Sequence, residues 1–468
     1  MRHGLAARVT AGLAAAALGA PEHAAARDTN PEGTPVGQRG IALAGACTAL
    51  GGDGGALWYN PAGLGALPGA GISANLAVYS WRTQRIDSFV DWGLEQGRAD
   101  AESSDFASVP SSLVYAMPVG ATPGTRPQHG IAAGLFVPDD DSYDIRVASQ
   151  VVGESGAAIQ VELSDTRSER SYWPGIGYGY DNGTFGLGIS GFVVAHTLKR
   201  QTVASIFASG VPDLSGIALV QTLASTDVSG LAQLGFLYRP LPSLTLGLNV
   251  RSPSSRPFHQ SGELLLLFAR DTEPAFLDRH ESNGLKTEQR TPLRLAGGAA
   301  WQATPDFLVS LDLHFTAALA RFRSLDAPLL RPEDAAGAPL VDPRPIERIV
   351  DVDERHARAA VVNGAIASEY RLSPSWMLRG GFYTDLSSVK RPDGQDLMDY
   401  AVDLFGLALG AGVKGERGST DIGILVRRGT GTAWSDYRAQ ALDERPVKPT
   451  TDVEVFQLAV FLGGTADL

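Results

Sequence analysis

The stretch Asp306–Ala317, "DFLVSLDLHFTA", alternates apolar with mostly polar side chains. Its odd positions from 307 to 315 carry Phe, Val, Leu, Leu and Phe, and its even positions from 308 to 316 carry Leu, Ser, Asp, His and Thr. A period of two is that of a β-strand with one apolar and one polar face. The pattern is longer than the usual strand of about five or six residues and is close to the length that crosses a bilayer at a tilt.

The same alternation recurs along the chain, for example in "TFGLGISGFVV" (184–194), "SLTLGLNVRS" (243–252) and "TDIGILVRR" (420–428). About fourteen such strands can be counted, and short turns alternate with long loops between them. An even number of strands with this loop asymmetry is typical of bacterial outer-membrane proteins. We therefore predict an all-β fold, an antiparallel transmembrane β-barrel of about fourteen strands in a Gram-negative outer membrane, with both termini periplasmic.

Aromatic residues cluster near the predicted short turns, as an aromatic girdle at a membrane interface would. They are Tyr180, Tyr238, Trp301, Tyr370 and Trp376. A soluble β-sandwich could reproduce individual strands, but not the alternation of short turns with long loops.

Composition restricts the class of protein further. The 468 residues are 44% hydrophobic and 19% charged, with a net charge of -12 and one cysteine. An acidic chain without a basic stripe is not expected to bind nucleic acid. A single cysteine excludes a disulfide framework, the eight histidines show no metal-binding spacing, and no phosphate-binding loop is present. We therefore predict no metal and no cofactor.

Three segments are predicted along the chain. Residues 1–26 have a basic start, an apolar stretch and a run of small residues, which is typical of a secretory signal peptide. Residues 70–468 hold the predicted barrel strands. Residues 27–69 are rich in Gly and Ala without sustained alternation, so we expect them to fill the lumen as a hatch.

The predicted hatch contains "GGDGGALWYNPAGLGAL" (51–67), an acid before small residues and then an aromatic-Asn-Pro-Ala-Gly-Leu motif. This motif resembles the hatch of the FadL/TodX family of outer-membrane channels for hydrophobic compounds. "LGLNVRSPSSRPFHQSGEL", "TPLRLAGGAAWQATPDFLVSLDLHF" and "YRLSPSWMLRGGFYTDLSSV" resemble later hairpins of that family. Two features depart from its pattern: Cys47 replaces a glycine or other small residue, and the chain ends "FLGGTADL" rather than on a strand-terminal aromatic.

The resemblance implies passive uptake of a hydrophobic compound, such as a long-chain fatty acid, a hydrocarbon or an aromatic molecule. Gating is implied for the hatch turn Asn60, Pro61, Ala62 and Gly63. A kink in the third strand, for which Gly134 and Pro138 are candidates, would release the ligand sideways into the bilayer.

Two predicted long loops, 200–226 and 254–287, are unusually apolar. Exposed apolar surface marks an interaction site, although such loops can also pack on each other as a lid. The resemblance implies that they capture ligand, through Ile206, Phe207, Leu214, Ile217, Leu219, Leu264, Leu265, Leu266, Leu267 and Phe268.

The polar faces of neighbouring strands supply candidate ligand anchors inside the lumen. They are Asn249, Arg251, Arg294 and His314. A lumenal arginine can pair with a carboxylate head group, but each of these side chains can also be an ordinary solvated lumen residue.

Other functions are less consistent with this pattern. A hydrolase would need a nucleophile close to a base, but Ser310 and His314 lie about 13 Å apart on one strand. We therefore predict that the chain is not an enzyme. A polar-solute porin or a surface adhesin is the alternative, against which the hatch and the apolar loops argue. The expected partners are the hydrophobic ligand, outer-membrane lipids and the barrel-assembly machinery, with the chain a monomer.

Overall fold

A computed structural model of the chain describes residues 30–91, 98–120, 128–138, 140–152, 158–209, 216–271, 276–326, 354–389, 400–434 and 450–468. The predicted signal peptide lies outside these residues. The first elements are short helices, α1 (Gln38–Ala42), α2 (Ala56–Tyr59) and a 3₁₀ helix (Pro61–Ala66). None of the helices in the described ranges is long and apolar enough to cross a membrane.

The strands that follow are β1 (Gly71–Asp91), β2 (Arg98–Val119), β3 (Gln128–Phe136), β4 (Asp140–Val152), β5 (Ala158–Asp181), β6 (Phe185–Ser209), β7 (Gly216–Leu241), β8 (Leu244–Arg251), β9 (His259–Asp271), β10 (Phe276–Asn283), β11 (Lys286–Thr287), β12 (Arg294–Thr304), β13 (Phe307–Thr316), β14 (Leu319–Asp326), β15 (Glu354–Arg358), β16 (Val361–Arg371), β17 (Trp376–Asp385), β18 (Tyr400–Gly415), β19 (Gly418–Trp434) and β20 (Thr450–Asp467).

Fourteen of these strands form a closed antiparallel barrel, which confirms the predicted fold. Their order around the wall is β1, β2, β3, β5, β6, β7, β8, β12, β13, β16, β17, β18, β19 and β20. The ring closes because β1 pairs with β20, with Ile72 opposite Ala466. A closed ring leaves no strand at an open edge, so each of the fourteen wall strands pairs with a neighbour on both sides.

The outer face of the barrel carries the apolar residues that alternation predicted. Leu246 and Leu248 of β8 and Leu311 and Leu313 of β13 are exposed, whereas the polar side chains at 249, 310, 312 and 314 face inward and are buried. Tyr238, Trp301, Tyr370 and Trp376 are also exposed near short turns. An apolar outer surface of this extent requires lipid around it.

The strands on one side continue far beyond the length that a bilayer needs. β5, β6 and β7 contain 24, 25 and 26 residues, against about 9–11 for a tilted membrane strand. The β4–β5 and β9–β10 pairings add further strands to this extension. Much of the segments predicted as loops 200–226 and 254–287 is therefore strand, and the loop prediction is wrong for residues 200–209, 216–226, 259–271 and 276–283. The cause is cross-strand pairing, which satisfies the backbone in regions that local pattern leaves open.

Residues 30–69, the lumenal segment, lie inside the barrel. Their buried side chains pack with wall residues into two apolar clusters, one with β12, β13 and β16–β20 and one with β2, β3, β5, β6 and β7. Contact with strands on opposite sides of the ring places the segment across the lumen. Two glycines allow the segment to fold tightly, because a Cβ on Gly51 would lie 2.8 Å from the Cα of Gly63.

Candidate functional site

The turn at Asn60 joins two pieces of the lumenal segment to the wall. The Asn60 side chain accepts a hydrogen bond from the Ala62 N–H (3.2 Å) and caps the 3₁₀ helix, which begins at Pro61. Its Nδ2 donates to the Thr48 carbonyl (2.7 Å) and to the Phe236 carbonyl of β7 (3.1 Å). Asparagine and proline are favoured at these positions because one caps a helix start and the other has no N–H to satisfy there.

The 3₁₀ helix rests on a row of glycines in the wall. Gly130, Gly179, Gly188 and Gly235 lie directly opposite one another across β3, β5, β6 and β7. A Cβ on Gly179 would lie 2.5 Å from the Gly65 nitrogen, and one on Gly188 would overlap the backbone between Pro61 and Ala62. The missing side chains therefore form a groove that fits the helix backbone. Single-sequence reasoning did not identify this groove, since register alone brings the four glycines into line.

An aromatic cluster follows the groove at one side of the lumen. The Trp58 ring lies 5.1 Å from that of Phe136 on β3, 5.1 Å from Trp173 on β5 and 5.9 Å from Phe192 on β6. The Arg251 guanidinium lies 4.3 Å from the Trp58 ring centre. Offset and edge-on aromatic contacts together with a cation–π contact hold Trp58 in one position.

The cluster stands where the third strand is interrupted. β3 ends at Phe136 and β4 begins at Asp140, with the buried Pro138 between them. Gly134 lies inside β3 and is paired on both sides, with Val114 and Gly175. Of the two residues predicted to kink this strand, Pro138 is therefore at the interruption and Gly134 is not.

The predicted lumen anchors Arg294 and His314 contact the lumenal segment. Glu32 Oε2 accepts from Arg294 Nη2 at 2.5 Å and lies 2.7 Å from His314 Nδ1. Burial by itself would raise the pKa of the Glu32 carboxyl, but the Arg294 and His314 charges outweigh it and lower the pKa to about 2. This contact, here called the Glu32 latch, spans 262 residues of sequence between Glu32 and Arg294.

The other two predicted anchors lie on the neighbouring strand β8, where Arg251 is directly opposite Arg294. Arg251 donates to Gln233 Oε1 (3.1 Å) and to the Trp58 carbonyl (3.3 Å). Asn249 is buried, and its Nδ2 has no hydrogen-bond partner among the described residues. Three of the four predicted anchors thus bind the lumenal segment, which the sequence analysis did not anticipate.

A second ion-pair group attaches the lumenal segment to β16, β17 and β19, across the lumen from the glycine groove. Arg39 makes a two-point contact with Glu369 of β16, at 3.1 Å to each oxygen. Arg379 of β17 donates to the same carboxylate (2.7 Å) and also contacts Asp421 of β19. Two-point arginine–carboxylate pairs are among the stronger polar contacts in proteins. The sequence offered no sign of this group, because its members come from four separate parts of the chain.

A cavity of about 140 Å³ lies between the lumenal segment and the barrel wall. Its lining includes Glu32 and Trp58 of the segment, Trp173, Arg251 and Arg294 of the wall, and Phe322 of β14. Guanidinium groups beside aromatic rings make a surface for a ligand that is apolar with a polar or anionic end.

The predicted capture residues lie on the strand extensions, and those whose burial is described alternate between two faces. Leu219, Leu264 and Leu266 are buried, with 2%, 1% and 7% exposure, whereas Phe207 is 52% exposed. Leu265 and Leu267 are half-buried. Leu214 and the side chains of Ile206, Ile217 and Phe268 lie outside what the structure describes. The buried leucines face the interior of the extension and are not available on an outer surface.

Acid should release the Glu32 latch. Because the Arg294 and His314 charges lower the pKa of Glu32 from its usual 4.5 to about 2 in the folded chain, ionised Glu32 stabilises the docked segment above pH 4.5. This contribution is lost as the pH falls from 4.5 towards 2. We expect pepsin to cleave the lumenal segment increasingly over that range. A Glu32→Gln variant should lack this pH dependence, and cleavage with equal pH dependence in both proteins would contradict the prediction.

Among the residues that the structure describes, no group of three or more His, Cys, Asp and Glu side chains could hold a metal ion. A scan against protein-family models found no match. A search of curated proteins also found none.

Solved structures of similar shape were found. The Pseudomonas putida toluene transporter TodX aligns over 94% of this chain and 99% of its own, with a TM-score of 0.59 and 15% identity. The fold is that of the FadL and TodX channels. A Pseudomonas aeruginosa FadL homologue aligns over the same fractions with a TM-score of 0.57 and 12% identity, and the Ralstonia pickettii toluene transporter TbuX with 0.54 and 15%.

The FadL fold agrees with the resemblance noted in the residues around Asn60. Two of the structures named here are described as toluene transporters. At these identities the likeness establishes the fold of this chain, and its ligand has to be argued from its own residues.

Proposed function

We propose that the chain is an outer-membrane channel for passive uptake of hydrophobic compounds. The observation that carries this proposal is the cavity between the lumenal segment and the wall, with its aromatic and arginine lining. A fold shared with toluene transporters supports it. The apolar outer face and the short turns at the end of the barrel that holds Leu468 support a membrane orientation with the termini in the periplasm.

In this proposal the lumenal segment acts as the hatch. It crosses the lumen and attaches on both sides, through the glycine groove and through Arg39, so it obstructs the direct route through the barrel. Compounds would enter through the strand extensions, whose inner face carries Leu219, Leu264 and Leu266. They would leave sideways where β3 ends, because the β2–β3 ladder ends at Phe136, β4 pairs with β5 only from Asp140, and Trp58 packs against Phe136 from inside.

Replacing Asn60 by alanine tests the hatch. The change removes two hydrogen bonds to buried carbonyls and the cap of the 3₁₀ helix, a loss of about 2–4 kcal/mol in segment stability. Because the segment forms the floor of the cavity, toluene and long-chain fatty acid uptake should fall severalfold in cells without their own hydrophobe channel. The barrel should still fold, since its wall pairing is untouched.

The control is Asn283→Ala, which changes an exposed asparagine of β10. Both variants should reach the membrane at wild-type levels. Wild-type protein that passes sugars but neither hydrophobic probe would indicate the alternative function of a polar-solute porin. If Asn60→Ala takes up hydrophobic compounds at the wild-type rate, the channel function would stand, but the hatch turn would have no role in it.

A further inference from the structure

Another cavity opens on the outer face of the barrel, across β5, β6, β7 and β8. It has a volume of about 500 Å³ and is here called the wall groove. Two rows of side chains, paired strand to strand, border it: Tyr180, Leu187, Phe236 and Leu248 in one row, and Tyr178, Ile189, Leu234 and Val250 in the other.

The lining of the wall groove favours an apolar occupant. Its described residues are aliphatic, aromatic or glycine, and none of them is charged. Gly188 and Gly235 lie between the two rows, and a Cβ on either would meet the start of the 3₁₀ helix on the lumenal side. Water would find few hydrogen-bond partners on such a surface, and a void would lose dispersion contacts along the whole lining.

The size of the wall groove matches a lipid chain. An apolar cavity of roughly 150 Å³ holds one benzene molecule, so the wall groove has room for an occupant about three times that size, which is roughly eighteen carbon atoms or one acyl chain. Because the groove lies among residues exposed on the outer face, such as Leu187 and Leu234, a chain can enter it directly from the bilayer.

Polar groups lie at one end of the wall groove. His129 Nδ1 is 2.6 Å from the Tyr178 hydroxyl oxygen, and the His129 ring is 5.3 Å from that of Tyr180. Tyr180 immediately precedes Asp181, where β5 ends at a short turn, so this end lies at the edge of the membrane band. Tyrosine and histidine combine an apolar body with a polar tip, which suits contact with glycerol and phosphate groups.

Two other occupants fit the wall groove less well. A second copy of the chain would place the same concave face against itself across a two-fold axis, which leaves the groove empty. The sideways exit proposed above lies at Phe136, opposite Trp173, which is five residues further along β5 than Tyr178. The wall groove is therefore separate from that exit.

We propose that the wall groove binds a glycerophospholipid, with one acyl chain between the two rows and the headgroup beside His129 and Tyr180. In the orientation proposed above, this end of the barrel is periplasmic, so the lipid belongs to the periplasmic leaflet. The inference does not depend on which compound the channel carries. A lipid held in the groove exchanges with bulk lipid more slowly than lipid at the rest of the wall.

The test uses the full chain in nanodiscs of phosphatidylcholine that contain a small fraction of phosphatidylethanolamine with a diazirine in one acyl chain. After illumination, the labelled residues are mapped by peptide mass spectrometry. Labelling per lipid-facing residue should be severalfold higher in the wall groove than on β13 and β16, and excess unlabelled phosphatidylethanolamine should reduce it.

Ile189→Trp should block the site, because Ile189 lies directly opposite Leu234 in the middle of one row. Labelling in the groove should fall roughly fivefold, since the indole takes up space that the acyl chain would fill. Leu311→Trp is the matched control: Leu311 is 49% exposed, against 51% for Ile189, and lies on β13, outside the groove. It should leave labelling in the groove unchanged.

Even labelling around the wall, or equal labelling of the groove in Ile189→Trp and the wild type, would overturn the lipid site. Displacement of the probe by a little dodecane, but not by unlabelled phospholipid, would give the groove to a transported compound and would also overturn it. Uptake of hydrophobic compounds should be the same in Ile189→Trp and the wild type. The channel function therefore stands or falls separately from the lipid site.

Discussion

Adding one methyl group at position 188 is expected to undock the 3₁₀ helix from the barrel wall. In Gly188→Ala the new Cβ would overlap the backbone of Pro61 and Ala62, which cannot turn aside as a side chain can. Overpacking of this kind costs about 1–3 kcal/mol or more. Since every 1.4 kcal/mol changes a population about tenfold, the undocked fraction should rise about fivefold to a hundredfold.

The native Cys47 thiol reports this undocking. It is the chain's one cysteine, it is buried, and burial raises its pKa, so a maleimide should modify it slowly in the wild type. The 3₁₀ helix supports the backbone around it, because Asn60 holds Thr48 and the Gly52 N–H donates to Gly63. Modification of Cys47 should therefore accelerate in Gly188→Ala.

Gly191→Ala is the matched control, because a Cβ three residues along the same strand would approach only the Leu231 carbonyl, at 4.0 Å. Its Cys47 reactivity should equal that of the wild type. The barrel of both variants should keep its resistance to unfolding in detergent. Equal reactivity in Gly188→Ala and Gly191→Ala would mean that the glycine groove does not hold the helix.

Truncating Trp58 is expected to have an effect of similar size on the attachment of the lumenal segment to the aromatic cluster. Trp58→Ala removes three aromatic contacts and the Arg251 stacking contact, and it leaves a void beside the interruption of the third strand. Replacing a buried tryptophan by alanine costs about 3–5 kcal/mol. Hydrogen exchange of the amides from 56 to 66 should accelerate by roughly a hundredfold or more.

The control for this change is Trp376→Ala, which removes a tryptophan that is exposed on the outer face near a short turn. It should leave exchange in the lumenal segment unchanged. If Trp58→Ala does the same, the ion pairs of Arg39 and the glycine groove hold the segment without the aromatic cluster.

The predictions differ in which part of the attachment they disturb. Acid and Glu32→Gln act on the start of the segment, Gly188→Ala on the 3₁₀ helix, and Trp58→Ala on the side that faces the third strand. Agreement among all of them would show that the lumenal segment has separable attachments, of which one can open while the others hold.

The barrel itself was predictable from the sequence because its determinants are local. Each strand such as 306–317 separates lipid-facing from lumen-facing residues with a period of two, so alternation reports the wall directly. The inward direction of Asn249, Arg251, Arg294 and His314 followed from the same period. The resemblance around Asn60 likewise depended on a continuous stretch of residues.

The partners of the inward residues were decided only by the tertiary structure. Arg294 meets Glu32 because the chain closes into a ring around its own beginning, and no local pattern records a contact between residues so far apart. The extended strands around 200–226 were missed for a related reason. Their apolar residues lie on both faces, because neighbouring strands cover the inner face, so no alternation of apolar and polar residues marks them. The glycine groove is the clearest case. Gly130, Gly179, Gly188 and Gly235 are unremarkable one at a time, and cross-strand register alone joins them into the surface that holds the helix.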